Sequence, residues 1–232
     1  MYLRLGLAGL ACLAGCVRVP PPPAPGTGTL WGYVRLVPRA GVTPGKREYG
    51  PYADRRLRDV TFVDYSRPSF AVVYLDGPAS PGGSERVTIT RALLRPSLAP
   101  QYGAVGAGGT VVVTNADWLP HTVSCPAAHL LRRLAPDEEV EIVADAAGPL
   151  PLFLVDAPGI EGVVFVAPGP YAVVSREGRW ELRDLTPGPQ EIRAWHPRLP
   201  GASHAIEVSP GVSRQVDVAI GVGNLDGHAQ TP

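Results

Sequence analysis

Between Leu30 and Val222 the chain is a succession of short apolar runs, most of them cut off by glycine, proline or charge before they could wind a stable helix. The runs cover residues 30–36, 69–75, 87–90, 110–114, 121–124, 140–144, 152–155 and 162–166, then 171–175, 179–182, 191–195, 204–208 and 214–222. None shows a sustained helical period with caps. Where a period is clear it is two, the spacing of a half-buried strand. Glu139-Val140-Glu141-Ile142 alternates polar with apolar. In 214–222, Val216, Val218, Ile220 and Val222 fall on one side, with Asp217 and Ala219 on the other. Glycine and proline number 27 each, yet the apolar fraction is 45%, so the punctuation belongs to turns of a globular chain and not to disorder. The expectation is an all-β protein. Lysine plus arginine equal aspartate plus glutamate at 21 each, without a block of like charge, so neither a nucleic-acid partner nor a polybasic membrane patch is expected.

The amino-terminal residues carry a different message. Arg4 precedes an apolar run from Leu5 to Ala14, too short for the roughly 20 residues of a spanning helix and typical of a secretory signal. Leu13-Ala14-Gly15-Cys16 resembles the bacterial lipobox. That resemblance implies cleavage before Cys16, with lipid on its sulfur and on the new amino terminus, and so a membrane partner through the lipid anchor. Val17 and Arg18 stand where an inner-membrane retention aspartate would be, so the outer membrane, facing the periplasm, is the expected location. Residues 1–15 are then signal peptide. Residues 16–29, with five prolines, form a lipidated linker expected to lift the domain off the membrane as an extended stalk. Cys12 leaves with the signal and Cys16 is acylated, leaving Cys125 without an intrachain disulfide partner.

Two resemblances organise the rest. Gly108-Gly109-Thr110-Val111-Val112-Val113-Thr114-Asn115-Ala116-Asp117, followed by His121-Thr122-Val123-Ser124, resembles the plastocyanin-like cupredoxins, in which this strand and Asn-x-Asp loop lead to the first copper-ligating histidine. Residues 134–142 resemble the returning strand. On either side, Gly32-Tyr33-Val34 with Ala71-Val72-Val73-Tyr74-Leu75, and then 177–182, 185–192 and Trp195-His196-Pro197, resemble the transthyretin-like or carboxypeptidase regulatory fold. The organisation implied is two β-sandwiches. A Greek-key cupredoxin-like domain over 78–167 is inserted into a transthyretin-like sandwich split between 30–77 and 168–222, with a polar tail at 223–232. The alternative is two consecutive sandwiches, with 71–75 serving the second. Residues 39–58 read as a long irregular loop.

The cupredoxin resemblance implies a histidine early and a cysteine, histidine and methionine late. In the late loop, 154–162, Val155 holds the cysteine position and Ile160 the methionine position, and the second histidine is missing. A trigonal copper site depends on its thiolate, so no blue copper, no other cofactor and no metal is expected, with His121 a relic ligand near the surface. His121, Cys125 and His129 form a His-x3-Cys-x3-His series that could face one way on an extended strand. Pro126 interrupts it, which leaves Cys125 and His129 as weak metal candidates and Cys125 as a buried or inert thiol. His196 reads as structural, His204 as solvent-exposed, and 137–139 as a charged turn. With no nucleophile motif, phosphate loop or paired carboxylates, no catalytic residue is assigned and an enzyme is not expected. The expected function is a non-catalytic envelope binding or structural module with a protein or glycan partner. The alternatives are a carbohydrate-binding protein, with Trp118 the best of Trp31, Trp118, Trp180 and Trp195 for sugar stacking, and an electron carrier with an atypical metal site.

Overall fold

The computed structural model describes residues 19–41, 63–77, 82–92 and 94–224. Cys16 with the signal segment, most of the irregular loop, and the tail beyond Asn224 lie outside the described residues. No helix among the described residues is long and apolar enough to cross a membrane. The chain is all-β, and the seventeen strands among the described residues form four hydrogen-bonded sheets that enclose two main cores, giving an outer and an inner set.

The outer set takes both flanks of the sequence. β1 (Gly28–Leu36) pairs antiparallel with β13 (Arg179–Leu185) and parallel with β16 (Ser213–Gln215) and β17 (Val218–Ile220). The second sheet runs β12 (Tyr171–Val173), β2 (Val72–Leu75), β14 (Gly188–His196), β15 (Leu199–Val208). Leu30, Val34, Val73, Trp180, Leu182, Ile192, Val208, Val218 and Ile220 fill the space between these sheets. Among the described residues, neither β1 nor β2 finds a strand partner nearer in sequence than residue 171, and each must find one because a strand left alone would bury unpaired backbone groups.

The inner set uses only residues 84–167. One sheet runs β4 (Arg95–Ala99), β3 (Ser84–Ala92), β6 (Gly109–Asn115), β9 (Glu139–Ala144). The other runs β5 (Tyr102–Gly106), β11 (Glu161–Ala167), β10 (Gly148–Leu154), β7 (His121–Cys125), β8 (Leu130–Leu134). The crossings between these sheets make a Greek-key sandwich around Val87, Ile89, Val111, Val113, Val123, Leu134, Leu152 and Val164. Its entry and exit lie side by side. In the turn after β5, the Gly106 amide donates to the Gly82 carbonyl and the Ala107 amide to the Ala167 carbonyl, at 3.1 and 2.9 Å. The far end carries the loops that follow β3, β6, β8 and β10.

The two sandwiches meet through aromatic rings. Phe165 on β11 stacks on Trp195 of β14 with ring centroids 4.7 Å apart, and Tyr74 on β2 lies 5.1 Å from Phe165. Phe70 bridges Tyr102 and Trp195, while Ala104, Ala167 and Val72 complete the contact.

The structure departs from the sequence reading at four places among the strands and at one linker, and the Gly-rich β5 is one of them, a buried strand that was not expected. Residues 214–222 are not one alternating strand. β16 and β17 are separated at Val216 and Asp217, and Val222 sits exposed in a terminal turn. Gly32 is the reason: a Cβ there would stand 1.8 Å from the Val216 carbonyl, so only glycine lets the chains approach so closely. The Asp217 carboxylate accepts from the Tyr33 amide and closes the gap. β4 and β8 were not legible because both are edge strands with only one buried side chain each. β4 carries Pro96, which an edge tolerates. The linker expected over 16–29 gives way to β1 at Gly28, and Pro20 is already buried.

Candidate functional site

The far end of the inner sandwich holds a buried charged cluster assembled from four segments. At the end of β6, Asn115 organises the following loop. Its side-chain amide donates to the Leu119 and Leu134 carbonyls at 2.9 and 3.1 Å, and its oxygen accepts the Asp117 amide at 3.0 Å. That turn directs the Asp117 carboxylate inward, where its side chain is fully buried. Arg91, near the end of β3, meets it with Nε at 2.9–3.0 Å and a second nitrogen at 2.8 Å, a forked charge-assisted contact. His121 opens β7, is 3% exposed, and places Nε2 2.7 Å from Asp117 Oδ2. Its other nitrogen, Nδ1, lies 2.6 Å from Oδ2 of Asp156, in the loop after β10. Asp156 Oδ1 accepts the Thr122 amide at 2.6 Å, and the Val155 amide donates to the Thr122 carbonyl at 2.9 Å. The 155–160 loop is thus fastened to β7 at three points.

Each ring nitrogen faces a carboxylate oxygen, so each contact needs a proton between its two heavy atoms. With both aspartates ionised, an imidazolium and Arg91 balance them two against two. Arg91 holds the Asp117 carboxyl far below the usual carboxylate range against the opposing effect of burial, and His121 adds to the pull. For Asp156 burial pushes upward, but hydrogen bonds from the Thr122 amide and His121 together outweigh it and lower the value.

Trp118 follows Asp117 on the same loop and is 72% exposed, with the Arg91 guanidinium 5.5 Å from its ring centroid. Leu94, at the turn whose carbonyl accepts from Arg91 Nη1, is also exposed. This end therefore displays apolar side chains above a rigid polar floor.

Other expected site residues fall elsewhere. Cys125 is buried in the inner core at the opposite end of β7, and burial pushes its thiol up. His129 is exposed beyond the Pro126–Ala128 turn, in a left-handed conformation with φ of 50°. His121, Cys125 and His129 do not converge, and among the described residues no group of three or more histidine, cysteine or acidic side chains is placed to hold a metal ion. His121 is not near the surface. Val155 and Ile160 occupy the late loop, but Val155 is exposed and Ile160 packs on the core; the side chain that reaches the histidine is Asp156. Asp156 sits one residue after the expected cysteine position and Arg91 lies 30 residues before His121, so neither pairing has a local sequence signal. A blue-copper donor set does not fit here: both imidazole nitrogens are engaged and the thiol is a strand length away.

Among the tryptophans, Trp31 and Trp180 are buried and Trp195 belongs to the joint between sandwiches, leaving Trp118 as the displayed ring. His196 is buried in the outer sandwich. Its Nδ1 accepts the Arg198 amide at 3.0 Å, Nε2 has no partner, and burial, reinforced by the Arg198 charge, pulls its pKa down to about 4.

No protein-family model matches the sequence, and no curated protein matches it significantly. Solved structures similar to part of the chain are cupredoxins. A purple cupredoxin from Nitrosopumilus maritimus is 19% identical over 36% of this chain and 99% of its own, with a TM-score of 0.32. Amicyanin from Paracoccus versutus is 20% identical over 40% of this chain and 96% of its own, with a TM-score of 0.31. A mutant amicyanin in its oxidised state is 16% identical over 40% and 97%, also at 0.31. The architecture stands on the strand order and register described above.

Proposed function

We propose that this chain is a non-catalytic, lipid-anchored envelope protein, held at the periplasmic face of the outer membrane. In this reading its inner sandwich keeps a cupredoxin-like frame but has exchanged copper for an ion lattice. The observation that carries it is the clamped histidine: Asp117 and Asp156 take both nitrogens of His121, so no lone pair is left for a metal. The outer, transthyretin-like sandwich and the inner one then act together as a binding or structural module, joined by the Phe165–Trp195 stack. Titrating the purified protein with Cu(II) tests the exchange. The expected outcome is a colourless protein. Stoichiometric copper with an intense thiolate-to-copper band in the visible would instead support the electron-carrier reading.

One observation favours a glycan as the partner. Trp118 is exposed on a loop that Asn115 holds on both sides, at the Asp117 amide and the Leu119 carbonyl, so its ring is displayed on an ordered backbone. Trp118→Ala should abolish retention on envelope polysaccharide while changing stability by less than about 0.5 kcal/mol. Unchanged retention, or none in the parent protein, would leave a protein partner as the better reading.

A further inference from the structure

The proline-rich stretch is not free of the domain it precedes. Pro20 is buried, and the Pro21 carbonyl lies 3.5 Å from Ser213 Oγ. A turn closed by Thr27 onto the Ala24 carbonyl leads into β1. The Gly211 amide donates to the Thr27 carbonyl at 2.7 Å, and the Thr29 amide to the Val212 carbonyl at 3.0 Å. Residues 20–27 therefore run along the turn between β15 and β16 as part of the outer sandwich.

Only Val17, Arg18 and Val19 separate Cys16 from Pro20. Four Cα-to-Cα steps reach at most about 14 Å even when fully extended. We propose that, with Cys16 acylated, the outer sandwich rests directly on the bilayer through the surface made by residues 19–25 and 209–214, instead of standing off on a stalk. This rests on the lipoprotein reading above and specifies what the anchor does.

The surface has chemistry suited to lipid headgroups. Val19 is 62% exposed and Val212 is 46% exposed, two apolar side chains beside the tether. No aspartate or glutamate occurs in residues 19–25 or 209–214, whereas Arg214 does, so the charge of that strip is positive, with exposed Glu207 at its edge. Beyond the strip, Asp217 is paired with Arg35. The partner is thus the headgroup layer itself, a mixed zwitterionic and anionic surface.

The test uses full-length acylated protein in phosphatidylethanolamine and phosphatidylglycerol vesicles. A fluorophore is placed at Val212→Cys or, on the far end of the inner sandwich, at Leu94→Cys, where the parent residue is 89% exposed. The native Cys125 is fully buried and takes no label. Lipid carrying a headgroup nitroxide should quench the label at 212 several-fold more than the label at 94. Inserting about 20 glycine and serine residues after Arg18, enough slack for roughly 25 Å, should remove the difference. Equal quenching at the two positions, in protein whose mass includes the acyl chains, would overturn the proposal and leave the anchor standing. A mass without acyl groups on Cys16, or a Cys16→Ser variant that still sediments with membranes, would overturn the anchor and this proposal together.

Discussion

Each sandwich buries one histidine, and the two are handled in opposite ways. In the inner sandwich His121 has a carboxylate on each nitrogen and a guanidinium beyond one of them. In the outer sandwich His196 meets one backbone amide, and its second nitrogen meets nothing. Both side chains are almost fully removed from water, so burial does not separate them. Partners do: a buried charge persists only when it is paired, and an unpaired imidazole in an apolar setting is driven neutral. The inner histidine ties the loops after β6 and β10 together. The outer one is a neutral filler near the β14–β15 turn.

The largest effect should come from removing the shared ion. His121→Leu leaves Asp117 and Asp156 without their common partner and should cost about 3–5 kcal/mol in urea unfolding of the whole chain. A loss below about 1 kcal/mol would mean that Arg91 and the backbone amides satisfy both carboxylates alone.

The next contrast is in pH. The pKa of His196 falls from an ordinary 6.5 to about 4 in the folded chain. Between those values the unfolded chain binds a proton that the native chain does not. Stability is therefore full above about pH 6.5, declines as pH falls and levels off below about 4, a total of about 3 kcal/mol. His196→Phe should flatten that slope between pH 4 and 6.5, as followed by thermal melts. A slope that survives the substitution would assign the titration to another group.

The smallest effect sharpens the comparison from the acid side. Asp156 is lowered in the folded state, so its contribution is present above the ordinary carboxylate value and is lost as pH falls through the lowered one. Protonation should free the 155–160 loop only below about pH 4, outside the window of His196. Hydrogen exchange at the Val155 and Thr122 amides should quicken there, and Asp156→Asn should quicken the same amides at neutral pH. Exchange that accelerates already near pH 6 would contradict the assignment.

Much of the frame could be read locally. The runs 30–36, 110–114, 121–124 and 140–144 each match an observed strand, and 69–75 matches one over its last four residues, because alternation and β-branched residues report burial on one face without reference to anything distant. His121 could be placed at the mouth of a strand for the same reason. Its surroundings could not. Arg91 and Asp156 lie 30 and 35 residues from it on either side, and only the register of β3 with β6 and of β7 with β10 brings them to one end of the sandwich. The late loop misled because its apolar residues suggested a vacated ligand set, while Asp156 among them had already found the histidine.

The sequence by itself determined the class of structure: turn-punctuated strands in place of sustained helices, and a histidine following an Asn-x-Asp loop. Those properties are set within a few residues by backbone preference and side-chain period. Tertiary structure alone decided which strands pair across the 95-residue gap between β2 and β12. It also turned Trp195 into the joint between sandwiches, laid the prolines along the outer sandwich, and closed an ion lattice around His121. Each of these is a contact between segments far apart in the chain. Such contacts form because buried backbone and buried charge must find partners wherever the fold brings them.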